Sequence, residues 1–414
     1  MGAKMKLINI EKIKEAREKL NGIIAYNRLA FAPRLSKIAN SKVFLKKENL
    51  QLTGAFKIRG AFNKLSSLKQ EDEKNGTNIL NRGVICSSAG NHAQGVAFSS
   101  RHFGVRAVIV MPESTPLLKV SGTREMGAEV VLAGNNYDEA YAEALKIAKE
   151  QNLNFIHPFA DTDVIAGQGT IALEMIEEEE LDIVVIPIGG GGLISGIASA
   201  YKSLSPKTKI IGVQSKGANA MMKSFKQKNI QNSKSVRTIA DGIAVRDVNE
   251  EVFECILNGV DDIVEVDDEE IASAILFLLE SQKLLVEGAG AAGVASIMHN
   301  KINLTESTKV GTVLSGGNID VTTLNMIIEK GLFKSHRKMK IEVVLIDKPG
   351  SMQSLSDILA NAGANIVQIS YDRTPTLEYG DVLITMALEI KGLEHKKIVL
   401  DNLKKANYEF KEIF

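Results

Sequence analysis

The 414-residue chain lacks tryptophan, has only two cysteines and carries no net charge, 50 Lys and Arg balancing 50 Asp and Glu. Each shortage excludes something. Cys86 and Cys255 make no disulfide framework, and neither belongs to a CxxC or Cys/His ligand cluster, so the expected compartment is the reducing cytoplasm. Without a basic excess, the counterion release that drives nucleic-acid binding has no source, and no nucleic-acid partner is expected. No stretch approaches the roughly 18 apolar residues of a membrane span. The opening MGAKMKLINIEKIKEAREKL is charged and helical in period, with neither an apolar signal core nor a cleavage pattern. Gly2 follows Met1, but Lys6 stands where a myristoylation pattern needs Ser or Thr. A soluble protein with no membrane partner is expected.

Hydrophobic residues make up 44% of the chain, enough to bury a sizeable core. From about residue 43 to 315, short β-rich runs alternate with stretches of helical period. The runs are VFLKK (43–47), VICSS (84–88), AVIVM (107–111), EVVLA (129–133), DIVVIPI (182–188), IIGVQ (210–214), DIVEV (262–266) and VGTVLSGG (310–317). Continuous Val/Ile runs separated by helices are what parallel strands need when both faces of a sheet are covered, so the fold class is α/β, doubly wound. Three runs end in CSSAGN, IGGGG and LSGGN. Ligands in open parallel sheets lie beyond the carboxyl ends of strands, and these endings point to one shared site.

After residue 330 the pattern changes. GLFKSHRKMK (331–340) reads as a short basic linker, and Lys223 to Arg237 reads as a polar surface connection. The remainder reads strand (341–347), helix (351–362), strand (364–371), strand (381–389), helix (394–406), strand (408–413), the ferredoxin-like βαββαβ order.

Gly189, Gly190, Gly191 and Gly192 stand between a buried strand and a helix that begins near Leu193. Glycines there let successive N–H groups turn toward one anion, with the helix N-terminus adding a favourable dipole. Ile194 falls where a dinucleotide fingerprint needs its third glycine, and no Walker GK[ST] follows, so a single phosphate fits better than a pyrophosphate. Lys57 is flanked by Phe56 and Ile58 at the opening of an amphipathic helix. Apolar flanks lower an ammonium pKa, the condition for a lysine to act as a Schiff-base nucleophile and then as a base. Ser315, in the last strand ending, has a plainer reading as the cap of the following helix.

Together, TGAFKIRGA (53–61), SSAGNHAQGVA (87–97), GGGGLISG (189–196), ADG (240–242) and LSGGNID (314–320) resemble the fold-type II pyridoxal-phosphate enzymes, and within them the threonine and serine dehydratases, over residues 1–330. The resemblance implies two doubly wound open sheets in a catalytic domain of residues 1–332, its smaller subdomain at about 48–152. It implies that pyridoxal 5'-phosphate is carried by Lys57, with Phe56 against the ring, Gly189 to Leu193 and Gly242 around the cofactor, and Ser315 facing the pyridine nitrogen. Ser88, Ala89, Gly90, Asn91 and His92 then grip the α-carboxylate of an amino-acid substrate, Asn91 also touching the ring oxygen and His92 acting in positioning. Serine racemases of the group carry a second serine where Ala89 stands, which favours elimination over racemisation here. Ala55 and Ala160 replace a serine and an aspartate common among dehydratases. Relatives that hold a divalent cation use an acidic residue where this chain has Gln214, so no metal is expected.

Residues 338–414 resemble an ACT domain, with DKPGS (347–351) as its effector loop and GANIVQISYDR (363–373) as its second strand. That implies feedback by an amino acid, isoleucine or valine, through paired ACT domains in a homo-oligomer, dimer or tetramer. The implied reaction is dehydration and deamination of threonine to 2-oxobutanoate and ammonia, and of serine to pyruvate. A serine-preferring dehydratase and a non-catalytic amino-acid-binding protein are the alternatives.

Overall fold

The computed structural model describes residues 7–374 and 378–413, and the readings that rest on Gly2 and Lys6 lie outside them. The chain forms two compact units, one up to Asp320 and one from Val321 onward.

The first unit holds two sheets. In the larger the strands run in the order Ala30–Phe31, Lys42–Lys46, Lys309–Val313, Ile183–Pro187, Lys209–Ser215, Asp262–Val266, and all pairs are parallel except the antiparallel edge strand Ala30–Phe31. Ile183–Pro187 is buried at every position, as a strand covered on both faces must be. The smaller sheet is fully parallel, in the order Glu129–Leu132, Ala107–Met111, Val84–Ser87, Asn154–Phe155. Ala30–Phe31 and Asn154–Phe155 escape the sequence reading because two residues carry no periodicity.

The helix Lys57–Asn75 buries Ile58, Ala61, Phe62 and Leu65, an i, i+3, i+4, i+7 stripe, and ends at Gly76 in the left-handed region. Its first turn is pinned by a buried ion network. The Arg59 guanidinium donates to both carboxylate oxygens of Glu48 and both of Glu174, at 2.6–2.9 Å, and to Thr170 Oγ1 at 3.1 Å. Lys46 Nζ lies 2.6 Å from Glu174. Lys57, two residues before Arg59, is thereby held in place from behind. Among the described residues no helix is long and apolar enough to cross a membrane.

The second unit has an antiparallel sheet in the order Asn365–Asp372, Asp381–Glu389, Lys338–Ile346, Glu409–Ile413. Met339, Ile341, Val343 and Leu345 alternate inward and pack with Leu355 and Leu359 of the helix Ser351–Asn361 and Val399 and Leu403 of Leu393–Lys405. The βαββαβ reading is borne out. The linker reading of 331–340 is not: the helix Val321–Lys334 takes up its first part and the strand Lys338–Ile346 its last. Basic residues there look like a linker only when their secondary structure is unknown. The polar stretch from Lys223 likewise begins inside a helix, Ala220–Gln227, before running on without regular structure.

Candidate active site

Three loops after strands meet, as the shared endings suggest. Phe56 N donates to Ser315 O at 3.0 Å, and Ala55 pairs with Gly316, so the segment entering the Lys57 helix lies along the ending of Lys309–Val313. A Cβ on Gly95 would stand 3.1 Å from the Lys57 carbonyl, which places the helix Asn91–Phe103 directly behind the lysine. Lys57 Nζ donates to Pro158 O at 2.7 Å. The next residue, Phe159, covers the glycine loop: a Cβ on Gly190 would lie 2.4 Å from its ring, and one on Gly192 2.9 Å from its backbone. Gly189 faces Gly242, whose carbonyl is 3.0 Å from the position a Cβ would take.

The Lys57 side chain is partly buried, and desolvation pushes its amine down from the ordinary 10.5 to about 8, against the pull of Glu287 and Cys86. Burial pushes the Cys86 thiol up. His92 is buried, with Nε2 2.9 Å from Ile156 O, so that nitrogen carries the hydrogen and Nδ1 is left without a partner. Burial, then the Lys57 charge, hold His92 at about 3, and the same two causes in the same order hold His157 at about 4. Both imidazoles are neutral at any ordinary pH. A ring engaged with Ile156 and this hard to protonate suits positioning rather than proton transfer.

The glycine loop has the backbone features that an anion receptor requires. Gly191 has φ +92° and caps the helix Gly192–Leu204, in which Leu193 is buried. The N–H groups of Gly189, Gly190 and Gly191 find no acceptor among the described residues. Across the site Ala89 N is likewise without an acceptor, while Ser88 Oγ accepts from Gly90 N at 3.2 Å. Ser315 is buried and the next helix starts only at Val321, so the capping reading of Ser315 is set aside. Gln214 is spent on structure, donating to Ile188 O and accepting from Met222 N.

An amine of lowered proton affinity, a loop of unpaired N–H groups and a buried hydroxyl fit a phosphate-bearing aldehyde with a basic ring nitrogen. Residues 21–316 match the family described as pyridoxal-phosphate dependent enzyme. The chain belongs to the pyridoxal-phosphate dependent enzymes. Residues 334–408 match the ACT domain. Among relatives, an L-threonine ammonia-lyase of Thermotoga maritima is 45% identical over 391 residues, 94% of this chain and 95% of that protein. One of Geobacter sulfurreducens is 44% identical over 398 residues, 96% and 97% of the two chains. Within the pyridoxal-phosphate dependent enzymes the chain is thus a member of the threonine ammonia-lyase family, with a C-terminal ACT domain. The processed form of threonine deaminase isoform 2 from Solanum lycopersicum superposes with a TM-score of 0.71 at 33% identity, covering 79% of this chain and 92% of that one. Maize serine racemase gives 0.72 at 32%, covering 80% and 99%.

Four groups of the site escape the sequence reading: Pro158 and Phe159, which meet Lys57 and the glycine loop, and Glu287 and Asn318, which meet Asn91. Glu287 leaves a local signal, as the single acidic residue in the apolar run from Leu284 to Met298, and Asn318 lies within LSGGNID.

Placing a branched side chain at Gly190 forces the Phe159 ring or the loop aside. Gly190→Val is expected to fold yet lose at least about tenfold in cofactor affinity, ~1.4 kcal/mol. Titration of the apoprotein followed by visible absorbance checks this, and unchanged affinity would remove the loop from the cofactor site.

Proposed function

We propose that this chain releases ammonia from L-threonine, leaving 2-oxobutanoate, and treats L-serine in the same way, leaving pyruvate. The observation that carries the proposal is the Lys57 amine, lowered to about 8 beside a glycine loop with free N–H groups. The two L-threonine ammonia-lyases that match nearly the whole chain support the choice of substrate.

Bound here, pyridoxal phosphate supplies a ring that withdraws electrons from the substrate Cα. The Gly189–Leu193 loop, with Gly242 behind it, would hold the phosphate, Phe56 would pack against the ring, and the Ser315 hydroxyl would serve its nitrogen. A hydroxyl, unlike a carboxylate, does not force that nitrogen to stay protonated, so Ser315 would make the ring a weaker electron sink, which suits elimination. Ser88, Ala89, Gly90, Asn91 and His92 orient the substrate carboxylate with N–H groups and the Ser88 hydroxyl. Lys57 Nζ takes the α-proton and passes a proton to the departing β-hydroxyl, which leaves as water. The released enamine tautomerises and takes up water, giving the 2-oxo acid and ammonia.

We assign the ACT unit to feedback by isoleucine or valine, acting between paired copies in a dimer or tetramer. The loop that begins at Asp347 supports this: Tyr371 Oη donates to Asp347 at 2.6 Å, Arg373 lies 2.7 Å from it, and Gly350 has φ +92° before the helix Ser351–Asn361.

Ammonia release by the cofactor-loaded protein tests the whole reading. Threonine and serine should both react, with kcat/KM values within about 200-fold, since one methyl group is worth only about 1–3 kcal/mol in a pocket. Isoleucine or valine should then shift KM for threonine. No ammonia from threonine would sink the proposal, and a flat response to both effectors would sink its regulatory part.

A further inference from the structure

Asn91 has both ends of its side chain engaged by other side chains. Its Nδ2 donates to Glu287 Oε1 at 2.8 Å, and its Oδ1 accepts from Asn318 Nδ2 at 2.8 Å. Asn318 Nδ2 also reaches Thr53 O at 2.9 Å and Gln94 Oε1 at 3.2 Å. The Glu287 carboxyl is lodged where two glycines leave room: a Cβ on Gly316 would stand 2.5 Å from Oε1, and one on Gly242 3.3 Å. Burial first, then the nearby Asp241, push this carboxyl up to about 7, while the Asn91 bond, Lys119 and Lys57 oppose the rise.

We propose that Glu287 and Asn318 are positioning residues that lock the Asn91 amide in one orientation, leaving its second Nδ2 hydrogen free for the cofactor's ring oxygen. The lock follows from donor and acceptor count. An amide rotated by half a turn would set Oδ1 against the Glu287 carboxyl and Nδ2 against the Asn318 amino group, exchanging two hydrogen bonds for two like contacts. Asn91 then presents a donor to the site every time. A protonated Glu287 can donate to a rotated Oδ1 as well as accept, so in that form the orientation is set by Asn318, whose Nδ2 is held by Thr53 O. Thr53 lies on the segment that leads to Lys57, so the same network ties the amide to the lysine's approach. The proposal rests on the cofactor reading of this site but not on the identity of the substrate.

The test measures pyridoxal phosphate affinity and the visible absorbance maximum of the loaded full chain. E287A and N318A should each lower affinity by about tenfold and move the absorbance band, whereas E287Q, which keeps the acceptor, should restore affinity to within about threefold of the parent. In an N91A background, E287A should cause no further loss, because its effect passes through Asn91. Equal losses for E287Q and E287A, or a full additional loss from E287A on top of N91A, would overturn the proposal. A parent protein that binds the cofactor normally but releases no ammonia from threonine would count against the proposed reaction and leave the Glu287 result readable.

Discussion

Replacing Lys57 by alanine is expected to leave a folded protein with ammonia release from threonine lowered by at least about 10³. Loss of a positioned base alone costs about 10²–10⁴, and in the proposed reaction the same residue also anchors the cofactor. The fold should tolerate the change, because the amine's one hydrogen bond goes to a backbone carbonyl, Pro158 O. Stability gives a second reading with a definite sign. The folded amine, at about 8, binds fewer protons than the unfolded one, with its ordinary 10.5. The stability of the cofactor-free parent should therefore rise with pH between about 8 and 10.5, the unfavourable contribution being complete below that window. Lys57→Met should lack this limb and be no less stable than the parent at pH 7, as denaturant titrations at several pH values will show. Borohydride reduction of the loaded parent followed by peptide mapping should place the pyridoxyl group on Lys57. A label on another lysine would overturn the assignment.

Arg59→Ala is expected to cost about 3–5 kcal/mol, because it leaves the buried Glu48 carboxylate without its cation and strips Glu174 of one of two. The guanidinium's five hydrogen bonds go to Glu48, Glu174 and Thr170, and Arg59 and Glu48 are entirely out of contact with solvent. Burial alone would lower the Arg59 pKa, but Glu48 and Glu174 more than offset it. Arg59→Lys should recover little, since an ammonium cannot form two forked pairs at once. Lys46 continues to face Glu174, so Glu48 is the group left bare. Urea unfolding midpoints decide the matter, and a loss below about 1 kcal/mol would mean that water or a rearranged Lys46 replaces the arginine. The variant's effect on catalysis should follow from the helix that begins at Lys57, which loses its tether two residues downstream.

Much of the architecture was legible because its signals are local. The buried run Ile183–Pro187 and the stripe Ile58, Ala61, Phe62, Leu65 are set by a period of two or 3.6 residues, and the glycines at 189–192 can be read as a backbone that must stay bare. The linker reading failed at Val321–Lys334 because basic residues are compatible with both a solvated helix and a loop. The two-residue strands Ala30–Phe31 and Asn154–Phe155 were invisible because pairing with a neighbour, not their own residues, makes them strands.

What the sequence by itself determined was the α/β alternation, the ferredoxin-like order of the last unit, and the segments from which the candidate site is assembled: those of Lys57, Asn91, the glycine loop and Ser315. What only the tertiary structure decided was their surroundings. Asn91 meets Glu287 across 196 residues of chain and Asn318 across 227, and Lys57 meets Pro158 across 101. Contacts at such separations leave no periodic trace, and desolvation, which sets the Lys57 and Glu287 proton affinities, depends on everything packed around them rather than on the residues beside them in the chain.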